Sequence, residues 1–219
     1  MKRPPLPGHK IKVMLVDDHA ILREALAGIL EPQPEFSVVG SFSSVREATA
    51  PEITPPDVIV LDVTMPEMGG LGGMPQLLKR FPRARVLMLS MHPAEVFGLR
   101  ALKAGAKGYL TKETRPSELV EAIRRVGTGG RVIPEEMVEV LASGVDPSVV
   151  APPHEQLTDR EFEILQRLAA GAKTAEIAKD LGLSARTVSN ERQRIFQQLG
   201  LQSNADVARY AMENHLPTS

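Results

Sequence analysis

Short apolar runs alternate with longer amphipathic stretches along the first part of the chain. The runs have strand length and are rich in β-branched residues, whereas the stretches between them repeat apolar positions at helical spacing. This pattern predicts strands over residues 11–16, 36–40, 57–61, 85–89 and 107–110. It predicts helices over residues 20–30, 44–50, 71–81, 93–104 and 115–126. Such alternation with short connections predicts an α/β fold, a doubly wound five-stranded parallel sheet with helices on both faces.

The alternation ends near Gly129, and a different pattern follows. Residues 134–142 can form one short helix. In residues 144–153 the apolar positions follow no helical or strand period, which is typical of a linker. Beyond the linker no strand pattern occurs, and capping chemistry indicates helix starts near Thr158, Thr174 and Ser203. We therefore expect a disordered tail over residues 1–9, a first domain over 10–129, a linker over 130–153 and an all-α domain over 154–219.

The composition is that of an ordinary globular protein, and it excludes several classes of function. The 219 residues include 26 Lys and Arg against 27 Asp and Glu, and none is Cys. The lack of Cys excludes disulfides, zinc ribbons, thiol nucleophiles and iron–sulfur ligation. No apolar run reaches membrane-spanning length and no secretory signal pattern is present, so we expect a cytoplasmic protein without a membrane partner. The near-neutral charge requires any nucleic-acid binding to be local.

Charged and polar side chains stand where the predicted strands end. Asp17 and Asp18 end the first strand, Asp62 the third and Ser90 the fourth, and Lys112 lies just past the fifth. In an open parallel sheet these ends meet at one edge, which is where ligands bind. Clustered carboxylates repel one another unless a cation lies among them, and an all-oxygen site suits Mg²⁺. A Lys and a hydroxyl nearby are suited to a transferred phosphoryl group.

Each of these residues also has an ordinary structural interpretation. Asp18 can cap a helix, Asp62 can begin a turn, Ser90 can cap a strand end and Lys112 can be a solvated loop residue. Independent capping roles would not require all of them to fall at strand ends of one sheet. Their shared position therefore favours a phosphate and Mg²⁺ site.

An ordered set of motifs resembles the receiver domain of bacterial two-component response regulators. The motifs are VDDH at 16–19, LDVTMPEMGG at 61–70, LS at 89–90 and GYLTK at 108–112. The resemblance implies a flavodoxin-like fold in which Asp62 is the phosphoacceptor. It implies that Asp18, Asp62 and the Thr64 carbonyl bind Mg²⁺ with help from Asp17, that Ser90 and Lys112 contact the phosphoryl oxygens, and that Tyr109 turns inward on activation. Glu113 departs from the family, where a cis Pro is frequent.

A helix over residues 184–199 has one apolar and one polar face. At ~100° per residue, Val188, Ile195 and Leu199 align on a face that must be buried. The opposite face carries amide and guanidinium groups, which can pair with bases or phosphates. They are Arg186, Asn190, Gln193 and Gln197, flanked by Ser189 and Arg194. The preceding helix and turn complete helix-turn-helix spacing, although a polar face is also typical of a solvated surface helix.

Residues 157–201 are similar to the LuxR-type DNA-binding domain, and this resemblance places the chain with the NarL/FixJ subfamily of response regulators. It implies a four-helix domain that binds double-stranded promoter DNA, as a homodimer when the chain is phosphorylated. The candidate DNA contacts are Lys173, Thr174, Ser184, Arg186, Thr187, Ser189, Asn190, Gln193, Arg194 and Gln197. Ser189 and Glu191 depart from the family, which often has Lys and His there.

The leading functional hypothesis is a phosphorylation-dependent transcription factor that is not an enzyme. A partner histidine kinase would supply the phosphoryl group to Asp62. One alternative is an aspartyl-phosphate phosphohydrolase, because residues 62–64 are similar to the haloacid dehalogenase nucleophile strand, but Thr64 stands where that chemistry needs a second Asp. A second alternative is a receiver that acts without phosphorylation and whose helical domain binds protein.

Overall fold

The computed structural model describes residues 10–65, 69–92, 94–135, 137–138, 153–214 and 216. The chain forms two compact units, Met1–Gly144 and Val145–Ser219. The tail expected over residues 1–9 and most of the expected linker, with most of its short helix, lie outside the described residues. Among the described residues, no helix is long and apolar enough to cross a membrane.

The first unit is built on a five-stranded parallel sheet with strand order β2-β1-β3-β4-β5. The strands are β1 (Ile11–Val16), β2 (Phe36–Phe42), β3 (Val58–Asp62), β4 (Arg85–Ser90) and β5 (Gly108–Thr111). The pairing sets Val16 beside Leu61 and Asp62 beside Leu89, so the central strands end at nearly the same level. This order is the flavodoxin-like one, with its reversal between β1 and β3, and it confirms the predicted fold.

Helices cover both faces of this sheet. They are α1 (Ala20–Leu30), α2 (Val45–Ala48), α3 (Gly69–Arg80), α4 (Ala94–Lys103) and α5 (Pro116–Gly127). The inner strands are apolar almost throughout because both of their faces are buried, and Leu15, Val60 and Leu87 pack with Ile123 of α5 in the core. The sheet is therefore buried on both faces, and its carboxyl edge carries the polar residues.

Most boundaries differ from the predicted ones by a single residue, and those of β2, α2 and α3 differ by two, since α2 ends at Ala48 rather than at residue 50. β2 continues to Phe42 rather than ending at Gly40, because a shift in its pairing with β1 lets the Asp17 N–H donate to the Phe42 carbonyl (3.1 Å). α3 begins at Gly69, two residues before the apolar pattern starts. The Gly70 N–H donates to the Val63 carbonyl (2.8 Å), which ties the start of α3 to the end of β3.

The close approach of α3 to β3 requires glycine at position 70. A Cβ atom on Gly70 would lie 1.7 Å from the Asp62 carbonyl oxygen, which is backbone and cannot rotate away. Gly69 has a φ of 65°, in the region that favours glycine. The glycine run thus sets the backbone beside Asp62.

The second unit is all-helical in the residues that the structure describes. A short 3₁₀ turn (Pro153–Gln156) precedes α6 (Asp159–Ala169), α7 (Thr174–Asp180), α8 (Ala185–Leu199) and α9 (Asn204–Glu213). Capping boxes begin α6 at Thr158 and α9 at Ser203, as the sequence predicted. α7 begins at Thr174, and Lys173 occupies the cap position before it, where its backbone N–H donates to Glu176 Oε2 (2.8 Å).

Candidate functional site

An ammonium group and two carboxylates meet at the carboxyl edge of the sheet. Lys112 Nζ lies 2.9 Å from Asp17 Oδ2 and 2.9 Å from Asp62 Oδ2. These side chains are almost closed to solvent, with 2% of Asp17 and Asp62 and 6% of Lys112 exposed. The backbone N–H of Lys112 donates to the Ser90 carbonyl (2.7 Å), so the pairing of β4 and β5 positions the residue whose side chain carries the amine. We call this group of residues, with Asp18 and Ser90, the acidic pocket.

The charges in the acidic pocket shift one another's protonation. Burial, and after it the Asp17 carboxylate, raise the pKa of Asp62 to about 7, although Lys112 and the Thr64 N–H act in the opposite direction. Burial lowers the pKa of Lys112, but the Asp62 and Asp17 carboxylates outweigh it and the net change is upward. The amine therefore stays charged. An added cation would stabilise the ionised form of Asp62, so the pocket favours binding one.

Ligand atoms for a metal ion converge beside Lys112. Asp17, Asp18, His19 and Asp62 each offer one such atom, and these atoms lie within 4.8 Å of one another. The carboxylates come from β3 and from the residues directly after β1, which is why the sequence could place them together. Carboxylate oxygens are the donors that Mg²⁺ prefers, and with two of the carboxylates almost fully buried the donor set fits that ion.

His19 is a member of this cluster to which the sequence analysis assigned no role. Its Nδ1 lies 2.9 Å from Asp18 Oδ1 and 3.2 Å from Asp17 Oδ1, while the side chain is 66% exposed. Its backbone N–H donates to Asp17 Oδ1 (2.7 Å). Its place immediately after two strand-end aspartates is the signal that could have identified it.

Ser90 and Tyr109 both contact the backbone of His92, in the loop after β4. The Ser90 hydroxyl accepts a hydrogen bond from the His92 N–H (3.0 Å), and the Tyr109 hydroxyl donates to the His92 carbonyl (2.8 Å). Both side chains are fully buried, so Tyr109 occupies the inward position. A hydroxyl in the acidic pocket and an aromatic residue outside it are thus joined through one short segment.

The polar residues of α8 lie on its exposed face, opposite the core. Val188 and Ile195 are fully buried and Leu199 is half-buried, in agreement with the predicted apolar face. The exposed candidate contacts are Arg186, Ser189, Asn190, Gln193, Arg194 and Gln197 on α8, with Ser184 and Lys173 before the helices. Thr174 and Thr187 are half-buried. The Ser184 hydroxyl accepts from the Thr187 N–H (3.0 Å), so it caps the helix.

Glu191 is an acidic residue of α8 that faces the protein rather than solvent. Burial and the neighbouring Glu161 carboxyl raise the pKa of Glu191, while Arg194 and Arg160 lower it. Arg194 Nη1 lies 3.7 Å from Glu191 Oε1. Glu191 therefore takes part in docking α8 on α6, and it is not among the candidate DNA contacts.

A flavodoxin-like sheet with an acidic pocket at its carboxyl edge, joined to a helix-turn-helix unit, defines the class of two-component response regulators. Comparison with known families agrees. The response regulator receiver domain matches residues 13–124, and the luxR family of bacterial regulatory proteins matches residues 155–211. The chain belongs to the NarL/FixJ-type response regulators, with a receiver domain and a LuxR-type DNA-binding domain. This confirms the predicted family and class of function.

Relatives match the chain over nearly its whole length. It is 37% identical over 202 residues to the transcriptional regulatory protein UhpA of Escherichia coli K12, covering 91% of this chain and 96% of UhpA. It is 35% identical over 207 residues to the response regulator GacA of Pseudomonas syringae pv. syringae, covering 93% of this chain and 96% of GacA.

Solved structures show the same architecture. A LuxR-family response regulator from Aurantimonas sp. SI85-9A1 aligns with a TM-score of 0.55 and 36% identity, over 61% of this chain and 96% of that one. RcsB from Salmonella enterica aligns with a TM-score of 0.57 over 94% of this chain and 100% of that one. At 23% sequence identity, this alignment shows a similarity of fold alone.

Proposed function

We propose that Asp62 accepts a phosphoryl group from a partner histidine kinase, and that phosphorylation controls promoter binding by the second unit. The observation that carries this proposal is a buried Asp62 carboxylate 2.9 Å from a charged, buried Lys112 amine. An Asp62 oxygen would attack the phosphorus of a phosphohistidine. The P–N bond breaks as the P–O bond forms, and the histidine nitrogen that leaves takes up a proton. The chain is then a phosphoryl acceptor rather than an enzyme, with at most slow self-dephosphorylation.

The residues around Asp62 would hold the transferred group. Asp17, Asp18, Asp62 and the Thr64 carbonyl would bind Mg²⁺, which neutralises charge on the phosphoryl oxygens when it is bound. Lys112 would exchange its contact with Asp62 for one with a phosphoryl oxygen, and the Ser90 hydroxyl would donate to another.

Ser90 and Tyr109 would connect the acidic pocket to the surface. When the Ser90 hydroxyl turns to the phosphoryl group it gives up the His92 N–H that it now accepts, and Tyr109 is held by the carbonyl of the same residue. A change at the pocket would therefore reach the surface formed by α4 and β5. We infer that this change favours a homodimer.

The exposed face of α8 would enter the major groove of promoter DNA. Gln193, Asn190 and Arg186 can read base edges, while Lys173 and Arg194 can contact phosphates. Between Glu155 and Glu213 there are eight Lys or Arg against nine Asp or Glu, so one copy would bind DNA weakly. Binding to two half-sites as a dimer would supply the missing affinity, and RcsB dimers have been seen on DNA. A kinase and a promoter as partners place this function in the cytoplasm.

Phosphoryl transfer can be tested with a small phosphodonor. Wild-type protein incubated with acetyl phosphate and Mg²⁺ should carry one phosphoryl group per chain by intact mass, and Asp62→Asn should carry none. Glu113→Gln is the matched control, because it removes an exposed carboxylate just past β5 and should be labelled like wild type. Labelling of Asp62→Asn would contradict the assignment, and many turnovers of phosphate ester per chain would favour the phosphohydrolase instead.

A further inference from the structure

Arg192 lies on the flank of α8, between its buried face and its exposed polar face. Its guanidinium carbon lies 4.7 Å from the centroid of the Phe196 ring, one helical turn further on. Its Nε is buried and has no hydrogen-bond partner within the described part of the chain. Nε itself is closed to solvent, but the Arg192 side chain as a whole is only half-buried, so an acceptor from outside the chain can reach the part of the guanidinium that stays exposed.

The contact with Phe196 prepares Arg192 for an anion. A guanidinium held over the face of an aromatic ring loses little further freedom on binding, and its fork of N–H donors matches the oxygens of a phosphate. A Lys at this position could neither stack in the same way nor bind two oxygens in one plane.

The surroundings of Arg192 connect it with the proposed DNA surface. Arg192 and Phe196 line a recess of about 430 Å³, together with Ser189, Gln193, Gln197, Leu201 and Gln202. Ser189, Gln193 and Gln197 belong to the exposed polar face of α8, so the recess is continuous with that face. None of the described residues that line it is acidic. An anionic group can therefore enter without meeting a carboxylate in the wall.

The position of Arg192 around α8 indicates which part of DNA would reach the recess. At ~100° per residue, Arg192 lies roughly 60° from Ser189, on the side toward the core. Residues at the centre of a recognition helix face base edges, whereas residues on its flanks face the sugar–phosphate walls of the groove.

We propose that Arg192, held on Phe196, binds a backbone phosphate of double-stranded DNA beside the polar face of α8. The proposal rests on the proposed DNA binding and adds a contact that the polar pattern of α8 did not include. Arg192 would fix the depth and register of α8 in the groove without reading sequence. Its loss should weaken binding to all DNA sequences alike.

A salt titration of the full-length chain separates this contact from general charge. The probes are a fluorescent duplex from the gene's own upstream region and a scrambled duplex of equal length, with Mg²⁺ and beryllofluoride present. Arg192→Gln should weaken binding to both duplexes by about tenfold and reduce the slope of log affinity against log salt by about 0.9. Phe196→Leu should weaken binding with the slope kept, because the charge remains.

Arg209→Gln is the matched control, since it removes an exposed arginine of α9 that pairs with Asp206. It should leave affinity and slope unchanged. A wild-type slope in Arg192→Gln would overturn the proposed contact while DNA binding stands, whereas failure of the wild-type protein to bind either duplex would overturn the proposed function itself. If Arg192→Gln has a lower melting temperature than wild type, Arg192→Lys is the variant that tests the contact. Arg192→Lys should keep the wild-type salt slope and bind DNA severalfold more weakly. An Arg192→Lys protein that binds DNA as tightly as wild type would contradict the proposal.

Discussion

The acidic pocket and the exposed face of α8 present their charged groups in opposite ways. In the pocket the side chains come from the ends of four different strands, and Asp17, Asp62 and Lys112 are buried within ion-pair distance. On α8 the polar side chains follow one another along a single helix and most are exposed. The pocket thus has its chemistry before any ligand arrives, because the sheet imposes the geometry. The exposed side chains of α8 pack against little of the protein, so we expect them to matter for DNA binding and hardly for folding.

The largest effect on stability is expected from removing the buried amine of Lys112. Lys112→Met leaves the Asp17 and Asp62 carboxylates facing each other without their cation, and we expect the metal-free protein to lose about 4 kcal/mol of its free energy of unfolding. Arg186→Met on α8 removes an exposed charge and should change stability by less than about 0.5 kcal/mol. Urea unfolding of both variants without divalent cations measures the difference. Equal stabilities would break the contrast between the two regions.

The backbone beside Asp62 should tolerate little change. Gly70→Ala sets a methyl group against the Asp62 carbonyl, and we expect a loss of about 3 kcal/mol, since α3 must move away from β3. Gly28→Ala in α1 is the control, because nothing lies within 4 Å of its added Cβ atom. It should be neutral or gain up to about 1 kcal/mol from helix propensity. Thermal melting compares them, and a Gly70→Ala protein as stable as Gly28→Ala would contradict the close packing.

The raised pKa of Asp62 makes the stability of the metal-free protein depend on pH. The folded protein holds the Asp62 proton up to about pH 7, whereas the ordinary value is 3.8, so wild-type stability should fall as pH rises between these values. Asp62→Asn does not titrate there. We expect it to gain about 2 kcal/mol relative to wild type between pH 5 and pH 8, and Mg²⁺ should reduce the gain. A pH-independent difference would show that the fold does not raise the pKa of Asp62.

The smallest expected effect belongs to the exposed surface. Gln193→Ala should leave the melting temperature unchanged and reduce discrimination between the correct and a scrambled duplex by about 1 kcal/mol, because an amide can pair with one base edge. Glu213→Ala at the end of α9 is the control, because Glu213 is also exposed but lies on another helix. Competition binding measures the ratio of the affinities for the correct and the scrambled duplex. A fall in stability without a change in discrimination would mean that Gln193 serves the fold.

Topology explains why the acidic pocket could be predicted from the sequence. Once strand order follows from the alternation of elements, Asp17, Asp62 and Lys112 must meet at one edge, and errors of two residues in a boundary such as that of β2 do not alter this. The contact of His19 with two aspartates and the contact of Arg192 with the Phe196 ring depend on side-chain rotamers. The periodicity of apolar positions in the sequence does not predict rotamers. The start of α3 was missed for a related reason: its glycines read as a loop until packing against Asp62 is considered.

The link between the two regions is tested most directly by DNA affinity with and without a phosphoryl mimic. In the presence of Mg²⁺, beryllofluoride should tighten binding of the wild-type full-length chain to the duplex from its own upstream region by about tenfold or more. This corresponds to a coupling free energy of about 1.4 kcal/mol between the acidic pocket and DNA binding. Asp62→Asn should bind with the same weak affinity under both conditions. Equal tightening in Asp62→Asn, or none in the wild-type protein, would contradict control of DNA binding through Asp62.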